Sequence, residues 1–264
     1  MCERKTSFKT FLNILIIFIS FVGLLFFSSH TVAGDELSAK EIVVKANDLL
    51  RGKSSSATAV MKVIKPDWSR EMTTKIWMLE PDYAMILITA PAKDKGNVTL
   101  KREKEMWNWI PTIQRIIKIP PSMMMQPWMG SDFNNDDLVR ESSIIDDYTQ
   151  SLTGEEKIDG YDCYKVLLMP KPEAGVVWGK VIMWISKKEY LELKTEYYDE
   201  DENLVKYMTG SQVKEMGGRT IPSYWEMIPV DKEGEKTTLE YKSMEFDIDI
   251  KPSFFSEQEM KRIR

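Results

Sequence analysis

The chain has 264 residues, 43% of them hydrophobic, and a formal net charge of −5 at pH 7. That balance gives no general attraction to nucleic acid or to anionic lipid head groups, and the even spread of aliphatic and aromatic residues excludes a disordered chain. Its one histidine, His30, lies close to the N-terminus and only two cysteines are present, which excludes His/Cys zinc sites and histidine-dependent triads from the rest.

Arg4, Lys5 and Lys9 open the chain, followed by an uncharged apolar run over residues 11–27 and by small or compact residues Val32 and Gly34. This is the layout of a secretory signal ending near residue 34. The run is a little short for a membrane span of roughly 20 residues, so retention of 11–27 as an inner-membrane anchor is the second reading. Both export the remainder, residues 35–264, as one domain. Cys2 precedes the apolar run and is not placed for lipidation. With the leader removed, Cys163 stands alone, so the core and not a disulfide must hold the fold.

Ser38-Ala-Lys-Glu41 is a capping-box pattern ahead of Ile42, Val43, Ala46, Leu49 and Leu50 at helical spacing, with Gly52 as the stop. Beyond it the hydrophobic period falls to two. "SATAVMKVI", "MTTKIWML", "YAMILITA" and "NVTLKRE" read as strands, then "EMWNWI" and "QRIIKI" split by Pro111. After a long interruption come "YTQSLTGEEK" and "YDCYKVLLMP" around the hairpin signal Asp159-Gly160. "VVWGKVIMWIS", "LELKTEYYD", "LVKYMTGSQV", "RTIPSYWEMIPV" and "KTTLEYKSMEF" continue the series. We read about 10–11 strands in an antiparallel meander. Ser256 and Glu259 are placed to cap a short terminal helix. The fold class is therefore mainly β with helices (α+β), an incomplete antiparallel barrel. The first helix, the terminal helix and the segment around 120–143 are expected to cover its concave side.

That segment contains "WMGSDFNNDDL". As an EF-hand calcium loop it fails, because Asp137 stands where glycine is needed and Ser143 where a glutamate is needed, which leaves only a looser oxygen-rich calcium site over 132–137 open. The acids read better as a helix start, with Asn134 or Asn135 as cap and Asp136 and Asp137 in the first turn. Around them Trp107, Trp109, Met123, Met124, Met125, Trp128, Met129, Phe133 and Leu138 make an apolar concentration suited to varied ligand shapes. The pattern fits either an ordinary packed lid or a mobile flap over a hydrophobic site. Trp77, Trp178 and Trp184 are strand-borne candidates whose face is not fixed by alternation alone. Carboxylate-only catalysis needs just two acids, but the paired acids fall at turns or on alternating strands.

Trp107-Asn-Trp-Ile-Pro111, the run from Gln114 to Pro120, and Gly130-Ser-Asp-Phe-Asn-Asn-Asp-Asp-Leu138 together resemble the bacterial outer-membrane lipoprotein-sorting proteins of the LolA/LolB-like fold group. "GYDCYKVLLMPK" and "RTIPSYWEMIP" extend the likeness from Ser38 to Ile263. Trp109 stands where the pattern has tyrosine, which keeps the ring and loses the hydroxyl. The resemblance implies an open barrel of about eleven strands, with helices over an apolar cavity that takes up acyl chains in the periplasm. It implies binding and transfer toward the outer membrane without covalent chemistry, no cofactor or metal, a monomer, and an inner-membrane permease as a possible partner. Phe133 would plug or line the cavity, while Gly130, Asp132 and Asp137 would shape the loop. An envelope sensor or protein-interaction module on the same scaffold is the alternative.

Overall fold

A computed structural model of the chain describes residues 37–140 and 144–263. The expected leader over 1–34 and the alternative anchor over 11–27 lie outside the described residues. The unit Leu37–Arg264 opens with helix α1 (Ala39–Arg51). The capping box forms as read: Glu41 donates its N–H to Ser38 Oγ, and the Glu41 carboxylate accepts from the Ser38 N–H at 2.8 Å. Ile42, Val43 and Ala46 are buried on one side, and each fully buried large aliphatic contributes about 1.5–3 kcal/mol. Gly52 ends the helix at φ +66°. Arg219 donates to the last-turn carbonyls of Asp48 and Leu49, which satisfies acceptors the helix leaves open.

The strands are β1 (Ser54–Ile64), β2 (Ser69–Leu79), β3 (Tyr83–Ala90), β4 (Val98–Arg102), β5 (Glu105–Ile110) and β6 (Arg115–Lys118). After an interruption come β7 (Tyr148–Ile158), β8 (Tyr161–Pro170), β9 (Lys180–Ser186), β10 (Glu192–Tyr198), β11 (Leu204–Met216), β12 (Arg219–Pro229) and β13 (Lys236–Phe246). They form one antiparallel sheet of 13 strands in the order β6-β5-β4-β3-β2-β1-β13-β12-β11-β10-β9-β8-β7. The edges β6 and β7 do not pair with each other, so the barrel stays open. The strand count corrects the expected 10–11. Pro111 sits in a turn between β5 and β6 and does not break the pairing, since Trp109 is opposite Ile116 and Trp107 opposite Lys118. At Asp159-Gly160 both residues have positive φ, 47° and 87°, the backbone a two-residue hairpin needs.

The two faces of the sheet carry different covers. Ala59, Met61, Val63, Met72, Ile76, Ile86 and Ile88 point to one face, here the inner face, against the segment between β6 and β7. Farther round, Val166, Val181, Met183, Ile185 and Trp225 meet α1 on the same face. The alternate residues Met85, Leu87, Val98 and Leu100 pack outward on Phe255 and Met260. Met260 belongs to the terminal helix α3 (Glu257–Arg262), capped by Ser256 Oγ accepting from the Glu259 N–H. The terminal helix therefore covers the outer face, not the concave side as expected. Period-two alternation supplies two apolar surfaces on β2–β5, and α3 takes the second.

Candidate functional site

Residues 120–140, which follow β6, fold as a lid on the inner face. Pro120 and Pro121 end strand structure, and Pro121 starts a 3-10 turn (Pro121–Met123), a position where its missing N–H costs nothing. A second 3-10 turn (Trp128–Gly130) follows Pro127. Met129 and Gly130 both take positive φ, 51° and 73°, which turns the chain back on itself. Backbone bonds then brace the lid: Trp128 N–H donates to Phe133 O at 2.8 Å and Asn135 N–H to Gln126 O at 3.1 Å. Helix α2 (Asn135–Arg140) completes it. Asn134 is the cap: the Asp137 N–H donates to Asn134 Oδ1 at 2.8 Å, and the Asn134 N–H donates to Asp137 Oδ2 at 2.7 Å.

Charges fasten this lid to the sheet. Lys206 of β11 pairs with Asp137, and their side chains are only 6% and 7% exposed. The same ammonium reaches the Asp132 carbonyl at 3.3 Å and faces the rings of Trp178 and Tyr197 at 4.9 and 5.4 Å, a cation–π arrangement. Asp132 itself is held by Lys65 Nζ at 2.6 Å and accepts from Thr237 Oγ1 at 2.7 Å. Lys65 also reaches Glu235 at 2.6 Å. Burial works to lower the Lys65 pKa, but hydrogen bonds to the Asp132 and Glu235 carboxylates outweigh it and raise the value. Arg70 donates to the Met129 carbonyl. Thus Asp132 and Asp137 of "GSDFNNDDL" face lysines, a threonine and a helix start. Among the described residues no group of acids, histidines or cysteines could hold a metal ion.

Beneath the lid lies a cavity of about 80 Å³. Trp128, Phe133 and Leu138 of the lid form one wall, and Met61, Ile76, Met208, Trp225 and Leu239 of the sheet form another. Leu50 and Arg51 close one end from α1. Typical ligand pockets are about 300–1,000 Å³, so a large ligand needs the lid to move. Trp128 is anchored inward, its Nε1–H donating to Thr99 Oγ1 at 3.0 Å.

The structure sorts the predicted site residues by face. Trp128, Phe133 and Leu138 line the cavity. Met124 is buried, and Met123 and Met129 pack partly buried against the same inner cluster. Met125 is 53% exposed and points away. Trp107 and Trp109 do not belong to the lid. Met106 takes the inward position on β5, so both tryptophans fall outward, toward the cluster around Phe255. Trp77 lies there too, 5.7 Å from the Phe254 ring. Trp178 lies on the inner face, whereas Trp184 sits in a separate cluster with Cys163 and donates to Glu156. Sequence reasoning missed Lys65, Arg51, Trp225 and Lys206. For Lys206 a signal existed, because it shares an alternation register with inward Met208.

A family model described as "uncharacterized protein"-like matches residues 80–262 of the chain. The chain belongs to that family. No curated protein sequence matches it. Its fold is that of the LolA superfamily: a LolA superfamily protein from Nitrosomonas europaea superposes with a TM-score of 0.73 at 22% identity, covering 85% of this chain and 100% of the other. A DUF1329 family protein from Desulfovibrio piger gives 0.76 at 23% identity, covering 84% and 97%. A Vibrio parahaemolyticus domain assigned to outer-membrane lipoprotein sorting gives 0.75 at 22% identity, covering 85% and 98%. No helix of the described residues is long and apolar enough to cross a membrane.

Proposed function

We propose that the chain is an envelope carrier that takes an acyl-type ligand into the cavity beneath the lid and releases it without covalent chemistry. The observation that carries this is the mainly apolar cavity on a LolA-like fold, walled by a lid attached through ion pairs. Each methylene moved from water into such a site contributes about 0.8 kcal/mol, so a dozen contribute about 10 kcal/mol. That is enough to hold a chain and to offset the opening of a lid. The N-terminal apolar segment supports export of the carrier to the periplasm, where an inner-membrane permease would be a suitable donor.

The test is fluorescence titration of delipidated residues 35–264 with the apolar probe N-phenylnaphthylamine. Uptake is expected, and Phe133→Glu should weaken it at least about tenfold, a loss of about 1.4 kcal/mol. Leu138→Gln, on α2, should act in the same direction. A delipidated protein that takes up no apolar probe overturns the proposal. A stoichiometric protein partner captured with the cavity empty would favour the interaction-module reading instead.

A further inference from the structure

We propose that the cavity recognises an oxygen acceptor on its ligand, so that the cargo is an acyl chain bearing a carboxylate or ester, with the Trp225 indole N–H as its donor. This rests on the reading of the cavity as a ligand site and adds the chemistry of the ligand's polar end. Trp225 stands on β12, is 3% exposed and lines the cavity. Its Nε1 is buried and has no hydrogen-bond acceptor among the described residues. Buried donors are nearly always satisfied, and an exception calls for an explanation. Trp128 and Trp184, equally buried, both have one: Thr99 Oγ1 at 3.0 Å and Glu156 Oε2 at 2.8 Å.

The indole is held in place by a neighbour without a side chain. Gly210 of β11 is directly opposite Trp225. A Cβ there would lie 2.9 Å from Trp225 Cζ3 and 3.0 Å from Cη2. The benzo edge therefore rests on the Gly210 backbone. The other polar side chains on the described cavity wall are those of Arg51, Thr74 and Tyr241. Thr74 already donates to the Ala59 carbonyl. Arg51 is the single charged side chain on that wall, and no carboxylate lines it. A wall with an indole N–H that lacks an acceptor, and with no acid, complements an acceptor on the ligand. A pure hydrocarbon would leave the indole donor without a partner.

The experiment compares probes that differ in oxygen content, on wild-type protein and on Trp225→Phe. A second variant carries benzothienylalanine at position 225, which keeps the bicyclic shape and replaces the N–H by sulfur. N-phenylnaphthylamine has no oxygen acceptor; dodecanoate and methyl dodecanoate are measured by its displacement. In both variants the affinity for the acyl ligands should fall about tenfold more than the affinity for N-phenylnaphthylamine. Loss for both acid and ester assigns the carbonyl oxygen that they share. Loss for the acid alone assigns the carboxylate and points to a free fatty acid over an acylated protein. Equal loss for the oxygen-free probe, or no loss for either acyl ligand, overturns the inference. If wild-type protein binds the oxygen-free probe but neither acyl ligand, this inference fails while the carrier reading stands. If it binds none of the three, the carrier reading itself fails.

Discussion

Two apolar surfaces of one sheet are covered in different ways. On the outer face, Phe255 and Met260 sit on Met85, Leu87, Val98 and Leu100, and Phe255 stacks near Tyr83 and Phe254 at 5.4 and 5.3 Å. On the inner face the lid covers a cavity, and the groups joining it to the sheet include Lys206–Asp137, Lys65–Asp132 and Thr237–Asp132. Hydrophobic packing is non-directional and is lost gradually as surfaces part. A buried ion pair is different, because removing one partner leaves the other charge in a poor solvent. The comparison teaches that aromatic content does not separate a core from a ligand site. Both faces are greasy, and on the inner face the buried ion pairs Lys206–Asp137 and Lys65–Asp132 fasten the cover.

The largest effect should come from breaking the outer cover. Phe255→Ala removes a fully buried ring, and such truncations cost about 3–5 kcal/mol. Urea unfolding should show that loss globally, while the affinity of the folded protein for N-phenylnaphthylamine stays close to wild type. An equal loss of probe affinity would mean that the two faces are coupled, and the contrast drawn between them would fail.

Lys206→Met should have a smaller global effect and a larger local one. With the lid closed, Asp137 would keep its place without its lysine, a penalty of up to about 3–5 kcal/mol. Opening the lid relieves that penalty without unfolding the sheet. Amide exchange should therefore accelerate about a hundredfold across residues 123–140, equivalent to about 2.7 kcal/mol, with the β1–β2 and β11–β12 amides unchanged. Lys206→Met combined with Asp137→Leu should recover most of the protection, since a matched apolar pair can replace a buried ion pair. Uniform acceleration over the whole sheet would show Lys206 to be a plain core residue.

Much of this was legible in the residues, for identifiable reasons. Strands announce themselves through period two, and Ser38, Glu41 and Gly52 mark α1 because capping chemistry is local. Asn134 and Asp137 were readable for the same reason. What alternation does not contain is which of the two faces is covered, and by what. Trp107 and Trp109 are close in sequence to the lid, yet strand geometry sends them to the opposite side from Met106. The terminal helix went to the outer face for a reason no local pattern holds: Leu87 and Leu100 are apolar there too. Lys206 and Lys65 became visible only when long-range pairing brought them to Asp137 and Asp132. Had the inward register of Met208 been followed two residues back, the charged position would have stood out.

The smallest effect separates the two charged attachments from each other. Lys65 lies at the turn after β1, between Asp132 and Glu235, with more of its side chain reached by water than Lys206. Burial pulls its pKa down, the two carboxylate hydrogen bonds push it up, and the net result lies above the ordinary value of 10.5. A raised folded-state value means that the ammonium form is favoured by folding. Its contribution is complete below the unfolded pKa and disappears as pH rises through the folded one. The rate of N-phenylnaphthylamine entry should therefore be flat between about pH 7 and 10 and should climb above the ordinary lysine range. Lys65→Met should enter faster at neutral pH and should lose the climb. High salt should speed entry into wild type modestly, because water-reached pairs are screened, but should leave the protection lent by Lys206 nearly untouched. If Lys65→Met keeps the alkaline climb, the Lys65 pair does not hold the lid, and the attachment rests on the Lys206–Asp137 pair and the hydrogen bonds beside it.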